Sequence, residues 1–174
     1  MKVYGVTGWK NTGKTTLMER LVSELTGRGL AVSTIKHAHH ATEIDHPGRD
    51  SYRHRTAGAN QVIVASPVRW ALMHELRGAP ELPLADLLGH LAPVDLVLIE
   101  GYKSAPHPKI EAHRPEAGRA LLAPENTTIR AVATTARADD PALAGIVQPI
   151  LPLDDIAAIA DFILRDLGLA GSAA

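Results

Sequence analysis

Nine residues near the start, Gly8-Trp9-Lys10-Asn11-Thr12-Gly13-Lys14-Thr15-Thr16, leave few folds open to this chain. They fit G-x-x-x-x-G-K-[ST], a phosphate-binding loop, which works only where a strand ends and a helix begins. That context is present: Lys2–Thr7 reads as a short strand, and Leu17, Met18, Leu21, Val22 and Leu25 recur at helical spacing behind the loop. Glycine at positions 8 and 13 lets successive backbone N–H groups turn toward one anion, and the positive end of the following helix adds to that field. Lys14 supplies a mobile point charge for β- and γ-phosphates. Thr15 offers a hydroxyl to Mg²⁺, and Thr16 suits an α-phosphate. Gly8, Lys10, Asn11, Thr12, Gly13, Lys14, Thr15 and Thr16 are therefore the expected binding set, and the implied ligand is a nucleoside triphosphate.

The rest of the chain supplies the sheet that such a loop needs. Gly27 and Gly29 should stop the first helix, and residues 30–36 read as a second strand reached by a right-handed crossover. Residues 37–50 form a polar, histidine-rich loop, which a parallel sheet would place near its phosphate end. A short helix over Asp50–Thr56 should end at Gly58. Residues 61–65 and 68–73 read as antiparallel strands joined at Ser66-Pro67, and Leu84, Leu87, Leu88 and Leu91 mark a short amphipathic helix.

Leu96-Val97-Leu98-Ile99 then runs into Glu100-Gly101, the pattern of a central parallel strand buried on both faces. Its end should lie beside the glycine loop. Glu100 would there hold Mg²⁺ through water or position a hydrolytic water, so Lys14 and Glu100 are the expected catalytic pair. Residues 102–128 look irregular apart from a strand at Lys109–His113. Further strands are expected at 128–134 and 148–150. A terminal helix follows, starting at Asp154 or Asp155 and stopped by Gly168. The expected fold is α/β: a P-loop NTPase-like three-layer arrangement with a mainly parallel central sheet and an extra antiparallel strand pair. Residues 1–168 are expected to form a single domain, with 169–174 as a flexible tail.

Composition narrows the function. A chain of 174 residues can bury one real core. A net charge of −1 gives no global basic field for nucleic acid. The absence of cysteine removes disulfides, thiolate zinc sites and cysteine nucleophiles together. No signal-like segment opens the chain, and no apolar run approaches the roughly 18 residues of a membrane span. A cytoplasmic protein without nucleic-acid or membrane partners is expected.

Several polar residues keep two readings. His37, His39 and His40 suit a switch-like loop that contacts nucleotide, Mg²⁺ or a second anion with help from Lys36 and Arg49; they also suit a solvated loop or a metal site. Asp45 and Asp50 are candidates for Mg²⁺ or its waters, and equally for helix caps. Lys103 and Lys109 follow the Glu100-Gly101 turn and are candidates for phosphate contact or plain surface lysines.

Taken in order, these motifs resemble one family. The loop through Leu17, Ile35-Lys36-His37-Ala38-His39-His40, Asp45-His46-Pro47-Gly48-Arg49-Asp50-Ser51, Ala57-Gly58-Ala59, Glu100-Gly101-Tyr102-Lys103 and Pro108-Lys109-Ile110-Glu111 are similar to the molybdopterin-guanine dinucleotide biosynthesis adaptor (MobB) family. The resemblance implies a GTP- and Mg²⁺-binding adaptor with weak GTPase activity. Such a protein assists the molybdopterin guanylyltransferase that joins GMP to molybdopterin in molybdenum-cofactor synthesis. It also implies a homodimer, with the strand pair after Gly58 as a candidate for the intersubunit sheet. Lys10, His37 and Lys103 join the expected nucleotide contacts, and Thr15, Glu100 and Asp45 the expected Mg²⁺ ligands.

Two departures stand out. Trp9 sits where related dimeric nucleotidases carry an extra lysine. No N-K-x-D guanine motif is present either, although Asp139, after Thr134-Thr135-Ala136-Arg137-Ala138, is a candidate guanine acceptor or helix cap. A small-molecule kinase or ATP-dependent ligase, with Arg114 and Arg119 in a lid, is a second reading. A non-catalytic nucleotide-binding scaffold is a third.

Overall fold

A computed structural model of the chain describes residues 1–38 and 43–169. In chain order its elements are β1 (Lys2–Thr7), α1 (Lys14–Gly27), β2 (Val32–Lys36), α2 (Asp50–Thr56), β3 (Gln61–Ala65), β4 (Trp70–His74), α3 (Leu84–Gly89), β5 (Leu96–Glu100), β6 (Lys109–His113), β7 (Ile129–Thr134), β8 (Ile150–Pro152) and α4 (Ile156–Asp166). Within the span expected as one domain, the chain gathers into two compact units, Met1–His37 with Pro93–Ala174, and Ala38–Ala92.

The first unit is built on a six-stranded sheet in the order β2-β5-β1-β6-β7-β8. Every neighbouring pair in it is parallel. All six carboxyl ends therefore share one edge, with the glycine loop leaving β1 in the middle of it. β5 and β1 both lie inside the sheet, and every residue of β5 is buried. One face packs Tyr4, Val6, Leu98, Ile110 and Ala131 against Leu17, Leu21 and Leu25 of α1 and Ile159 and Ile163 of α4. The Tyr4 hydroxyl donates to Asp166 Oδ2 at 3.0 Å, tying the sheet to the end of α4. Val132 turns to the other face, where it meets Ala123, Ile129 and the partly buried Leu121, Leu122 and Ile146.

Element boundaries differ from the sequence expectation where backbone groups are engaged elsewhere. β2 starts at Val32 because Leu30 N–H closes the end of α1 on Leu25 O and Ala31 N–H is taken by Asp95 Oδ2 at 2.8 Å. β8 starts two residues later than expected: Pro149, with no N–H, lends only its carbonyl to Val132. Asp155 caps α4, accepting from Ala158 N–H at 3.0 Å, which leaves Asp154 outside the helix.

In the second unit β3 and β4 pair antiparallel, Gln61 opposite His74 and Ala65 opposite Trp70. The turn reaches further than expected. Ser66 Oγ accepts from the N–H groups of Val68 and Arg69, so β4 begins only at Trp70. Along this hairpin Ile63, Val64, Val68, Trp70 and Leu72 are all exposed. Asp45 is buried in the same unit. It accepts from His46 N–H and Ser51 Oγ and lies 3.8 Å from Arg55, whose guanidinium also binds Glu43 and Glu75. Among the described residues no helix is long and apolar enough to cross a membrane.

Candidate functional site

The glycine loop folds as its sequence demands. Gly8 has φ 137°, and a side chain there would bring its Cβ to 2.4 Å from Ala112 O and 2.8 Å from Thr12 Oγ1. Only glycine fits so close an approach. Gly13 caps α1 in the left-handed region at φ 91°, and Asn11 adopts φ 66°. Asparagine is one of the few side chains that accept such a conformation. Thr12 is buried and its hydroxyl donates to Trp9 O at 2.9 Å. Lys14 Nζ donates to the same carbonyl. Burial, reinforced by Lys103 and Lys36, draws the Lys14 ammonium below its usual range, while Glu100 pulls the other way. Lys10 is exposed, as are Thr15 and Thr16 at the start of α1.

The carboxyl end of β5 meets the loop. Thr15 Oγ1 donates to Glu100 Oε1 at 3.1 Å, and Lys36 Nζ lies 3.5 Å from Glu100 Oε2. Lys36 and Glu100 are register partners across β2 and β5, so the parallel ladder itself brings the pair together. His37 follows, its N–H bonded to Glu100 O and its ring stacked on Tyr102 with centroids 4.3 Å apart. Lys103 lies over the Trp9 ring, 3.9 Å from its centroid, with Arg119 at 5.7 Å from the same ring. Trp9 Nε1 donates to Ala120 O at 2.8 Å. Trp9 thus clamps the loop to the segment after β6.

Of the expected site residues, the loop set, Glu100, His37 and Lys103 all belong to the first unit, and Asp45 to the second. His39 and His40 lie outside the described residues.

Two residues that sequence reasoning did not assign to the loop also stand near it. Arg114 lies so that a Cβ on Gly13 would come 3.1 Å from its Nε. A cavity of about 430 Å³ is lined by Asn11, Gly13, Lys14, Thr15, Thr16 and Arg114. The segment carrying Arg114 is pinned on both sides. His113 Nδ1 and Thr134 Oγ1 are 2.9 Å apart, and the buried Glu111 carboxylate accepts from Leu122 and Ala123 N–H groups, each at 2.9 Å. Burial pushes the Glu111 carboxyl up, and those two N–H groups oppose the shift. Asp154 is the second, set beside Gly13, Arg20 and Arg114 in a narrow recess. The sequence placed Arg114 only in the lid of the kinase or ligase reading, in a stretch that looked irregular apart from the strand at Lys109–His113. Asp139, by contrast, is exposed and pairs with Arg137.

The residues fit a magnesium-bound triphosphate. A hydroxyl and a carboxylate oxygen converge as hard ligands, a lysine is held within the loop, and Thr7 Oγ1, buried at the last position of β1, has no hydrogen-bond partner among the described residues. A parallel sheet whose central strand opens through such a loop into a helix defines the P-loop-like α/β class.

Comparison with known proteins then narrows the class. Residues 3–135 match the family model described as molybdopterin guanine dinucleotide synthesis protein B. The chain is 41% identical over 160 residues to the molybdopterin-guanine dinucleotide biosynthesis adapter protein of Haemophilus influenzae, covering 91% of this chain and 85% of that protein. Its counterpart from Escherichia coli is 39% identical over 90% of this chain and 88% of its own length. The crystal structure of the MobB homolog from Bacillus stearothermophilus superposes with a TM-score of 0.71 at 30% identity, covering 97% of this chain and 99% of that one. Bacillus subtilis MobB gives 0.72 at 27% identity, over 96% and 98%. The chain belongs to the molybdopterin guanine dinucleotide synthesis protein B (MobB) family.

Proposed function

We propose that this chain is a GTP-binding adaptor with slow GTPase activity, which assists a guanylyltransferase in attaching GMP to molybdopterin. Family membership supports the adaptor role in molybdopterin-guanine dinucleotide biosynthesis. The observation that carries the nucleotide reading is the 3.1 Å contact between Thr15 Oγ1 and Glu100 Oε1, with Lys14 one residue away. The loop N–H groups and Lys14 bind phosphate, Thr15 and Glu100 hold Mg²⁺ or its waters, and the bound Mg²⁺ neutralises charge on the phosphate oxygens. Slow turnover follows from what lies beyond the carboxylate: Gly101-Tyr102-Lys103 offers no glutamine to orient water. The exposed apolar hairpin β3–β4 supports a homodimer, because contiguous apolar surface of this kind marks interaction sites.

Calorimetric titration with Mg²⁺ and GTP, then ATP, tests this. Lys14→Ala should weaken GTP binding by roughly 2–4 kcal/mol, since a charge-assisted phosphate contact is lost, while circular dichroism stays unchanged. Equal affinity in the variant refutes the phosphate site. Turnover with and without guanylyltransferase and molybdopterin tests the adaptor role.

A further inference from the structure

The edge of the sheet that carries the loop is chemically lopsided. On the β2 and β5 side stands the charged pair Lys36 and Glu100. On the other side, past β6, the ends of β7 and β8 part around a cleft of about 390 Å³ with small and apolar walls, including Thr134, Ala136, Ala138, Leu151 and Leu153, and with Asp154 as its carboxylate. That volume falls within the range of small-molecule sites, about 300–1,000 Å³.

The cleft is a neighbour of the loop cavity. Gly13, Thr16 and Arg114 line both the loop cavity and a narrow recess, and Leu153 and Asp154 line both that recess and the cleft. The loop cavity and the cleft therefore stand side by side along the edge, with Arg114 and Asp154 between them, all within the first unit. Adjacent strands are about 4.8 Å apart, so β7 and β8 lie roughly 10–15 Å from β1 along the edge. That is the reach of a ribose and base from phosphates held at the loop.

We propose that this cleft is the nucleobase subsite and that the Asp154 carboxylate selects guanine. The inference rests on the triphosphate reading above and adds to it the residue that reads the base. Asp154 Oδ1 is fixed by Arg20 Nη1 at 3.2 Å, and Arg20 Nη2 donates to Asp154 O at 2.8 Å. Oδ2 has no partner among the described residues and remains to accept. An ionised carboxylate is acceptor-only. Guanine's pairing edge offers two adjacent donors, N1–H and the 2-amino group, and satisfies it. Adenine presents an acceptor at N1 and leaves a lone pair facing the carboxylate. A site built around such a hydrogen bond rejects the analogue that lacks it. Ala136 and Ala138, with no bulk beyond Cβ, leave room for a flat ring between the strand ends.

The test uses the full chain with Mg²⁺ and four probes: GTP, ATP, xanthosine triphosphate and inorganic tripolyphosphate. Xanthine replaces guanine's 2-amino group by a carbonyl, which an asparagine amide can serve as donor. Asp154→Asn should lose about tenfold or more in GTP affinity and gain about tenfold or more for xanthosine triphosphate. A variant that merely lost the Arg20 contact would not gain xanthine. Ala138→Trp, which fills the cleft from an exposed position, should lower GTP affinity toward that of tripolyphosphate and leave tripolyphosphate binding unchanged. If the unaltered chain binds none of the probes, the triphosphate site and this subsite both fall. If it binds tripolyphosphate and GTP, but Asp154→Asn keeps its preference and Ala138→Trp keeps its GTP affinity, the phosphate site stands and the base subsite is refuted.

Discussion

β5 and β4 are both five-residue strands rich in large apolar side chains, yet they end in opposite circumstances. Every residue of β5 is buried. In β4, Trp70 is 69% and Leu72 40% exposed, and no residue is buried. The difference lies in neighbours. β5 is hydrogen-bonded on both edges, to β1 and β2, whereas β4 has β3 alone. A two-stranded ribbon cannot cover its own faces, and an isolated one is at best marginally stable. The apolar residues of β5 are therefore core, and those of β4 are surface.

Four substitutions press on that contrast. The largest effect is expected at Leu98, in the middle of β5, where Leu98→Ala should destabilise the chain by about 2–5 kcal/mol through the cavity it leaves. Leu72→Ala in β4 should change the stability of the single chain by no more than about 0.5 kcal/mol and lower the dimer population instead. Chemical denaturation and sedentation-free mass measurement by light scattering would read the two effects. Similar losses of stability at both positions would remove the distinction between core strand and interface strand.

Next in size is Glu100→Gln, at the end of β5 that meets the glycine loop. It preserves side-chain volume and removes the charge, so single-turnover GTP hydrolysis should slow by at least about tenfold, near 1.4 kcal/mol in the barrier, with a smaller loss of binding. Hydrolysis at the unaltered rate would deny Glu100 the role of site carboxylate.

The last test concerns a charge that the core does contain. Lys109 is fully buried, its ammonium donating to Ala105 O and Thr128 Oγ1, and burial draws its pKa down to about 8. A free lysine titrates near 10.4, so from about pH 8 to pH 10 the unfolded chain binds more protons and stability rises with pH. Lys109→Met should flatten that rise, by less than about 1.4 kcal/mol per pH unit. Melting temperatures across pH 8–10 with equal slopes in both proteins would assign the titration to another group.

How much of this was legible beforehand depended on whether a local pattern carried the information. β1, α1 and β5 were readable because a long apolar period, a glycine loop and a carboxylate at a strand end all agree at short range. The hairpin was readable too, since alternation and a Ser-Pro turn are local signals. Arg114 and Asp154 were not. Asp154 looks like a helix cap in sequence, and only the neighbouring Asp155 proves to be one; its place at the cleft depends on the order of β6, β7 and β8, which no local pattern records. Spacing after a strand offered Asp139 as a guanine acceptor or a helix cap; in the structure its carboxylate is exposed and pairs with Arg137. The end positions of β4 and β8 shifted for smaller reasons, a serine hydroxyl and a proline without its N–H.

The chain's two indoles fall one at each of the regions that matter. Trp9 lies beneath the Lys103 ammonium with Arg119 near the same ring, in the loop whose carbonyl holds Lys14. Trp70 stands in solvent on the hairpin. Near a cation an indole's excited state is quenched and shifted, and in water its emission moves to the red. The protein thus carries two optical reporters of different colour. One would report a rearrangement of positive charge if the proposed anion enters the loop, and the other the drying of the hairpin if the proposed second copy covers it. Neither requires a label.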